Sequence, residues 1–389
     1  MERYLREHTK LSVMRDKMEI KHVKRILAGI VLGIMLLSVF ASAEVLVQNS
    51  DISEGGHLDT DFGTGFMAEW WYLNGQAVLV SPDGENKDIG FFVVLAHQES
   101  PMFEGLSHML TFDGIYIDDD KKDFNYLETF VPKENVNNYI AMHTPYVDYR
   151  YPEGLKKLSG SASSGYSLKY ATDNNVVLDL FFRPDVENTI DQAASPLNFT
   201  TYERSHGILK GSIVLNGKKY KVTRADGYMD HMIPMGDLPW PMNMHGWNWF
   251  EVTTENYQAV AYAVRNVSDG YSDYSYKHLT LLSRKTGKVI SEYFGDEITI
   301  TETGWIHEIG FGRKRPSNIV FSTRDLKVNV KAEDILYFNR TDPSQASGFV
   351  DFMAYEHDNA KIKYQGRTEE GSAFDEYLVS DMGVLQDNN

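Results

Sequence analysis

Three short segments of the sequence combine carboxyl or imidazole groups with large aromatic side chains. They are Glu69-Trp70-Trp71-Tyr72, Gly227-Tyr228-Met229-Asp230-His231 and Gly246-Trp247-Asn248-Trp249-Phe250-Glu251. A buried carboxyl group must be paired or protonated, because an isolated charge is costly in apolar surroundings. A neutral carboxylic acid can donate a proton, and aromatic faces can stabilise the cation that results. The segments therefore indicate a site that binds a largely apolar small molecule and could protonate it.

Side chains on a strand point alternately to its two faces, so the segments predict which side chains lie together. The predicted faces comprise Glu69, Trp71 and Leu73 in the first segment and Trp247, Trp249 and Glu251 in the third. Either set could line a cavity. Each tryptophan could equally belong to the core, since a Trp side chain buries a large apolar area.

Tyr228 and Asp230 should share one face of a strand, which places a phenol beside a potential acid. If Asp230 is buried in an apolar site, its pKa is raised and it can act as a general acid. Asp is also common in turns and at strand ends, so Asp230 could instead be a capping carboxylate. The sequence leaves both interpretations open.

The sequence gives little support for a metal site, a catalytic thiol or a serine hydrolase. His108, His231 and His245 lie nearest the three segments and could together bind zinc, but no pair of them has a spacing such as His-x-His. We therefore expect no metal. The chain has no cysteine, which excludes disulfides, thiolate catalysis and Cys-ligated zinc. It also has no Gly-x-Ser-x-Gly motif, so a serine hydrolase is not supported.

The elements that position these residues are predicted to be strands. From Ala68 onward, short runs rich in Val, Ile, Tyr, Phe and Thr are broken by Gly, Asp, Asn or Pro, as in antiparallel β structure. Residues 209–224 form the clearest unit, a hairpin that turns at Asn216-Gly217. Residues 185–194 are the best candidate for a short helix. An all-β sandwich or barrel is expected.

Two further segments interrupt the strand pattern. Residues 229–244 contain three prolines and five methionines with little alternation, which predicts a domain junction rather than an ordinary ladder strand. Residues 118–123 form a charge run, which we interpret as a solvated hairpin tip. They lack the ligand spacing and terminal Glu of a calcium loop.

The N-terminus has the pattern of a secretory signal. Basic residues at positions 21–25 precede an apolar run from Ile26 to Phe40, and Ala41-Ser42-Ala43 follows as a cleavage site. The run is shorter than the roughly 20 residues of a membrane-spanning helix. We therefore expect residues 1–43 to be a cleaved signal peptide and the protein to be secreted or held in the cell envelope. A retained anchor is the alternative.

The charge of the chain excludes some partners. Residues 1–43 hold eight Lys or Arg and four Asp or Glu, so the mature chain would carry 30 basic and 51 acidic residues, a net charge of −21. Such a surface repels nucleic acid and anionic lipid. We expect membrane contact only through the leader and an apolar small molecule as the partner.

Several motifs resemble those of the hydroxyneurosporene synthase (carotenoid hydratase) and AttH-like proteins. They are Glu69-Trp70-Trp71-Tyr72-Leu73-Asn74-Gly75, His108-Met109-Leu110-Thr111-Phe112-Asp113, Gly227-Tyr228-Met229-Asp230-His231, and Gly246-Trp247-Asn248-Trp249-Phe250 followed by Arg265, with Tyr355-Glu356 and Glu376-Tyr377 as weaker pairs. The order and spacing agree over most of the mature chain. The resemblance implies two lipocalin-like antiparallel β-barrel domains side by side, at residues 44–235 and 236–389.

The resemblance also implies an activity. It is hydration, or a related isomerisation or cyclisation, of an unsaturated isoprenoid-like substrate without a metal or organic cofactor. The candidate catalytic residues are Asp230, Tyr228 and His231, and the candidate substrate-binding residues are Glu69, Trp70, Trp71, Tyr72, His108, Trp247, Trp249 and Glu251. The family commonly has Trp at the position of Tyr228, and Gln-Trp-Gly where this chain has Met232-Ile233-Pro234, so substrate identity cannot be transferred.

Two other functions remain open. A carrier of lipocalin type would need the same cavity but no protonated carboxyl group in it. Carboxylates among tryptophans also occur in glycan-active enzymes, in which case Glu69, Asp230 and Glu251 would have to lie within one site.

Overall fold

A computed structural model describes residues 54–380, apart from 64, 118–120, 187, 194–196, 237–239, 241–243, 266–273, 309–312, 333–334 and 340–348. The predicted signal segment, residues 1–43, lies outside the described residues. The described strands are β1 (Phe66–Val80), β2 (Asn86–Glu99), β3 (Leu106–Ile117), β4 (Lys121–Pro132), β5 (Val147–Arg150), β6 (Lys156–Ser161), β7 (Gly165–Ala171), β8 (Val176–Pro184), β9 (Thr189–Ala193), β10 (Phe199–Leu215), β11 (Lys218–Gly236), β12 (Gly246–Thr254), β13 (Tyr257–Arg265), β14 (Tyr274–Ser283), β15 (Lys288–Phe294), β16 (Thr299–Thr303), β17 (Ile306–Glu308), β18 (Arg313–Arg315), β19 (Asn318–Ser322), β20 (Leu326–Lys331), β21 (Ile335–Asn339), β22 (Phe349–Tyr364) and β23 (Arg367–Ser380). Short 3-10 helices span Asp59–Asp61, Pro101–Phe103, Lys133–Asn138 and Gly295–Glu297.

The described strands form two large antiparallel sheets and one small one. The first sheet has the order β4-β3-β2-β1-β11-β10-β8-β7-β6-β5, with β9 paired to β10. The second has the order β15-β14-β13-β12-β23-β22-β20-β19-β16, with β21 paired to β22, and β17 pairs with β18 separately. The predicted all-β, antiparallel fold is confirmed. Within the described part of the chain, no helix is long and apolar enough to cross a bilayer.

The chain leaves the first sheet at Gly236 and enters the second at Gly246, close to the predicted domain boundary at 235/236. The described residues from 54 to 380 belong to one compact unit. The existence of two separate domains therefore stays a prediction.

The predicted hairpin is present. β10 and β11 are antiparallel, and Leu215 pairs with Lys218 across the turn. Asn216 and Gly217 have φ values of 51° and 80°, the left-handed conformation that both central residues of a type I′ turn require. The charge run at residues 118–123 lies where β3 turns into β4, because these strands are antiparallel and Ile117 pairs with Lys121. Residues 118–120 themselves are not described.

Two local predictions were wrong. Within the helix predicted at residues 185–194, residues 189–193 form strand β9, because pairing with β10 overrides a weak local helical pattern. The segment at 229–244, predicted to be a domain junction rather than an ordinary ladder strand, continues strand β11 as far as Gly236. β11 can contain Pro234 because its pairing with β1 is interrupted there, and no β1–β11 pair includes Ile233 or Pro234. The hydrogen bond that proline cannot donate is therefore not required at this point.

Besides a small cluster of four residues around Ile233, three large apolar clusters result from the two-residue alternation of the strands. One covers the inner face of the first sheet and includes Trp71 and Tyr149. Another fills the second sheet around Phe250. The remaining cluster joins the sheets, since it combines Tyr72 of β1 with Trp249 of β12. Because both of their faces are covered, the central parts of β1, β2, β12 and β13 are almost continuously buried, polar residues included.

Candidate functional site

An open pocket lies where the two large sheets face each other. Its empty space, including the mouth and the open solvent within it, is about 810 Å³. The aromatic lining residues are Trp70, Tyr72, Phe112, Trp240, Trp247, Trp249 and Tyr262. The acidic lining residues are Asp191, Glu203, Asp230 and Glu376. We call this site the inter-sheet pocket.

Strand pairing in the first sheet brings the pocket residues into two adjacent rows. In one row, Asp230 of β11 lies between Tyr72 of β1 and Glu203 of β10. In the next row, Trp70 pairs with Met232. Directly paired residues point to the same face of a sheet. The first sheet therefore presents two carboxyl groups flanked by aromatic rings.

The second sheet closes the pocket with further aromatic side chains. Trp249 of β12 pairs with Tyr262 of β13 and with Glu376 of β23. Across the pocket, the ring of Trp249 lies 5.1 Å from that of Tyr228 and 5.5 Å from that of Tyr72. These separations are typical of aromatic packing, so the walls support one another.

Asp230 has the environment of a neutral acid. It is 8% exposed, and its Oδ2 accepts a hydrogen bond of 2.9 Å from the hydroxyl group of Tyr228. Its Oδ1 has no hydrogen-bond partner among the described residues. Burial, together with the negative charges of Glu376 and Asp191, raises the pKa of Asp230 to about 8. The carboxyl group is therefore mostly protonated at neutral pH, with one oxygen available to a ligand.

A second pair of acids lies beside Asp230. Glu203 accepts a hydrogen bond of 2.6 Å from Thr189, and its Oε1 is 3.5 Å from the hydroxyl oxygen of Tyr228. Burial and the charge of Asp191 raise the pKa of Glu203 well above its usual value. Burial opposes ionisation of Asp191 too, but the charge and hydrogen bond of His278 lower its pKa. One acid of the pair is thus protonated and the other ionised.

Contacts between titratable side chains continue from Asp191 toward solvent. Nδ1 of His278 bonds to Asp191, and its Nε2 lies 3.7 Å from a carboxylate oxygen of Glu292, whose side chain is 41% exposed. Burial opposes protonation of His278, but the carboxylate of Asp191 raises its pKa. Titratable groups therefore form a line from the inter-sheet pocket to the surface, through Glu203, Asp191, His278 and Glu292.

Five of the residues predicted from the sequence line the pocket, namely Trp70, Tyr72, Asp230, Trp247 and Trp249. Tyr228 is fully buried and holds Asp230. The face with Trp247 and Trp249 thus lines the cavity, as one alternative predicted. On β1 the face predicted to line a cavity held Glu69, Trp71 and Leu73. The structure shows that the other face of this strand, with Trp70 and Tyr72, lines the pocket.

Three predicted residues lie on the opposite face of the first sheet. Glu69, Trp71 and His231 are buried there, and the ring of Trp71 stacks on that of His231 with centroids 4.6 Å apart. Asp230 and His231 are adjacent on a strand, so they must point to opposite faces. The structure therefore does not bring His231 to the acid with which it was grouped.

Two other predicted residues also lie outside the pocket lining. His108 stacks on Phe130 and lies 3.1 Å from Glu128. Glu251 is hydrogen-bonded by Gln258 at 2.5 Å, and burial raises its pKa to about 7. The three carboxylates that a glycan-active site would require thus have separate surroundings.

Sequence reasoning missed Glu203 and Asp191. Asp191 lies in the segment taken for a helix, which hid its alternation. The signal for Glu203 was present in the predicted hairpin, because antiparallel counting outward from Asn216-Gly217 pairs Glu203 with Asp230. The structure has this pair, although two register irregularities that cancel each other lie between it and the turn.

Comparison with known proteins shows the fold. The chain is similar to the crystal structure of a candidate AttH protein from Nitrosomonas europaea, with a TM-score of 0.60 and 14% identity over 87% of this chain and 98% of that chain. It is also similar to CghA bound to Sch210972 (TM-score 0.56, 10% identity, 81% and 89% covered). Kievitone hydratase from Nectria haematococca gives a TM-score of 0.52 at 9% identity, with 80% and 89% covered.

These likenesses, together with the two antiparallel sheets, confirm the predicted lipocalin-like fold class. No family model and no curated protein sequence matched the chain. At such low identities the likeness shows an AttH-type, hydratase-like fold, and the activity has to be argued from the pocket itself.

Proposed function

We propose that this protein adds water to a carbon–carbon double bond of an apolar, isoprenoid-like molecule held in the inter-sheet pocket, with Asp230 as the acid. The observation that carries the proposal is a buried carboxyl group whose pKa is about 8, with one oxygen unpartnered among the described residues. A protonated carboxyl group facing an apolar cavity can donate its proton to a bound substrate at neutral pH. The hydratase named among the structural neighbours supports the same reaction class.

The surroundings of Asp230 suit the intermediate. Protonation of an alkene carbon by Asp230 leaves a carbocation on the neighbouring carbon and a carboxylate on Asp230. The rings of Trp249 and Tyr72 lie beside this position, and a desolvated ring stabilises a cation by about 2 kcal/mol. Water then adds to the cation and loses one proton, which returns to the carboxylate of Asp230 either directly or by exchange with solvent. The net reaction joins one water molecule to one alkene and regenerates the acid. Isomerisation and cyclisation begin with the same protonation and differ in how the cation is consumed.

The line of acids behind Asp230 gives the released proton a route. Tyr228 bridges Asp230 and Glu203 through its hydroxyl group, and Glu203 contacts the ionised Asp191. We assign Glu203 and Asp191 to proton exchange with solvent through His278. This role explains why the pocket keeps an ionised acid next to a protonated one.

A labelling experiment tests the proposal. Trisubstituted polyenes are incubated with the protein in D₂O, and the products are analysed by mass spectrometry and NMR. Hydration should place one deuterium on the protonated carbon and one hydroxyl group on its neighbour. Asp230→Asn should reduce turnover by about 10²- to 10⁴-fold, while ligand affinity, measured by quenching of tryptophan fluorescence, stays the same.

Asp179→Asn is the matched control, because Asp179 is exposed on β8 and should keep full turnover. Full activity of Asp230→Asn would show that another group is the acid. If polyenes quench the fluorescence but no label enters any of them, the protein is a carrier, which is the alternative function of the same pocket.

We further propose that the protein is exported after cleavage near Glu44. Intact mass of protein isolated from its native host should correspond to a chain that starts there. A mass that retains the run from Ile26 to Phe40 would mean that the leader stays attached as an anchor.

A further inference from the structure

A cluster on the opposite face of the first sheet is not used by the proposed function. Glu69 is fully buried, and its two carboxylate oxygens have different partners. Oε1 is 2.8 Å from the backbone N of His57 and 3.1 Å from Nδ1 of His97. Oε2 is 3.0 Å from Nδ1 of His57 and 3.2 Å from Nε2 of His231. Two imidazole nitrogens thus converge on one carboxylate oxygen.

We propose that His57, Glu69 and His231 form a binding site for a divalent transition-metal ion of the zinc type. The three donor atoms lie within 4.8 Å of one another. In a tetrahedral zinc site with metal–ligand distances of about 2.0–2.2 Å, neighbouring donors are about 3.3–3.5 Å apart. The two separations that involve Oε2 are already close to that value. Two imidazoles and one carboxylate leave a fourth position for water or another ligand.

The surroundings hold these donors as the outer shell of a metal site would. The backbone N–H of His57 and the ring of His97 engage Oε1, which orients Oε2 toward the two imidazoles. The ring of Trp71 stacks on His231 at 4.6 Å. Ligating carboxylates in metalloproteins are commonly hydrogen-bonded in this way, and such partners fix their orientation.

The strand register preorganises two of the three donors. Glu69 pairs directly with His97 on β2, and Trp71, two residues along β1, pairs with His231 on β11. Glu69 and His231 therefore stand on adjacent strands at fixed spacings, while His57 precedes β1 and is held by the hydrogen bond from its backbone N–H to Glu69. Sites built on strands are more precise than those built on loops.

The chemistry of the donor atoms also suits a transition-metal cation. The three candidate ligands offer one carboxylate oxygen and two imidazole nitrogens. Nitrogen and oxygen donors of this kind suit zinc and cobalt better than calcium or magnesium.

The location gives the metal a structural consequence. Glu69 and His231 are the sequence neighbours of Trp70 and Asp230, which face the inter-sheet pocket. A metal bound by Glu69 and His231 would link β1 to β11 on the face of the sheet opposite Trp70 and Asp230. The proposal does not depend on the proposed function, because metal binding can be measured without a substrate.

Metal binding is tested with Co²⁺, whose visible absorption reports coordination number, and with Zn²⁺ in competition. The full-length protein is stripped with a chelator and titrated under conditions in which it stays folded, as judged by circular dichroism. We expect one tight equivalent per chain, with tetrahedral or five-coordinate absorption that Zn²⁺ abolishes. Glu69→Gln and His57→Gln should remove this equivalent. His97→Gln should weaken it by about 10- to 100-fold, as expected for an outer-shell partner.

His307→Ala is the control, because it removes an imidazole that is exposed on β17 and should leave the titration unchanged. Equal binding by wild type, Glu69→Gln and His57→Gln would overturn the proposal, as would the absence of any tight equivalent in the wild type. If a variant fails to fold, X-ray absorption of the zinc-loaded wild type decides the question, since two imidazoles must appear in the coordination shell. A shell without them would overturn the assignment.

Discussion

Replacing Asp230 by Asn should change how stability depends on pH. Folding raises the pKa of Asp230 from its usual 3.8 to about 8. Between these values the unfolded chain has released this proton while the folded chain keeps it. The folded state thus binds one more proton, and its stability falls as pH rises through this window. The contribution of Asp230 to stability is fully present below about pH 4 and is lost by about pH 8.

The size of the effect follows from the pKa shift. Each pH unit inside the window removes about 1.4 kcal/mol from the free energy of unfolding. From pH 5 to pH 8 the wild type should therefore lose up to about 4 kcal/mol relative to Asp230→Asn, which cannot ionise. Urea unfolding at several pH values measures this difference, because the other carboxyl groups are the same in both proteins.

Two further variants sharpen the comparison. Asp179→Asn, on the exposed face of β8, controls for the loss of one negative charge from an acidic protein. Glu69→Gln should show the opposite sign in a lower pH range, because the pKa of Glu69 is lowered from its usual 4.5 and its contribution is lost only as pH falls below that value. A difference between wild type and Asp230→Asn that stays constant from pH 5 to pH 8 would refute the claim that Asp230 is protonated in the fold.

Two other outcomes follow from the geometry. Tyr228→Phe should move the pKa of Asp230 further above 8, because the hydrogen bond from Tyr228 lowers it; carboxyl ¹³C NMR across a pH titration measures the shift, and an unchanged pKa would contradict the observed hydrogen bond. Gly246→Ala should destabilise the fold by more than about 2 kcal/mol, because an added Cβ would lie 1.9 Å from the carbonyl oxygen of Leu378. Gly295→Ala has a positive φ but open space, so it should lose only about 1–2 kcal/mol by the same thermal or urea unfolding assay.

Much of the fold could be predicted from local patterns. The hairpin at Asn216-Gly217 was predictable because the required left-handed turn selects these residues. The shared face of Tyr228 and Asp230 followed from strand alternation, and the structure has a hydrogen bond between them. The failures at residues 185–194 and at Pro234 have a common origin. In both places pairing with a distant strand outweighs the preference of the segment itself.

The sequence by itself determined the strand-rich architecture, the turn of the long hairpin and the relative faces of neighbouring residues, because each depends on a few consecutive side chains. Only the tertiary structure decided which face of β1 meets the second sheet and which face enters the core. It also decided that Glu203 and Asp191 join Asp230, and that Glu69 meets His231, 162 residues away in the chain. Alternation has a period of two and fixes faces only relative to each other. Which faces meet is settled by long-range pairing and burial, and no local pattern encodes these.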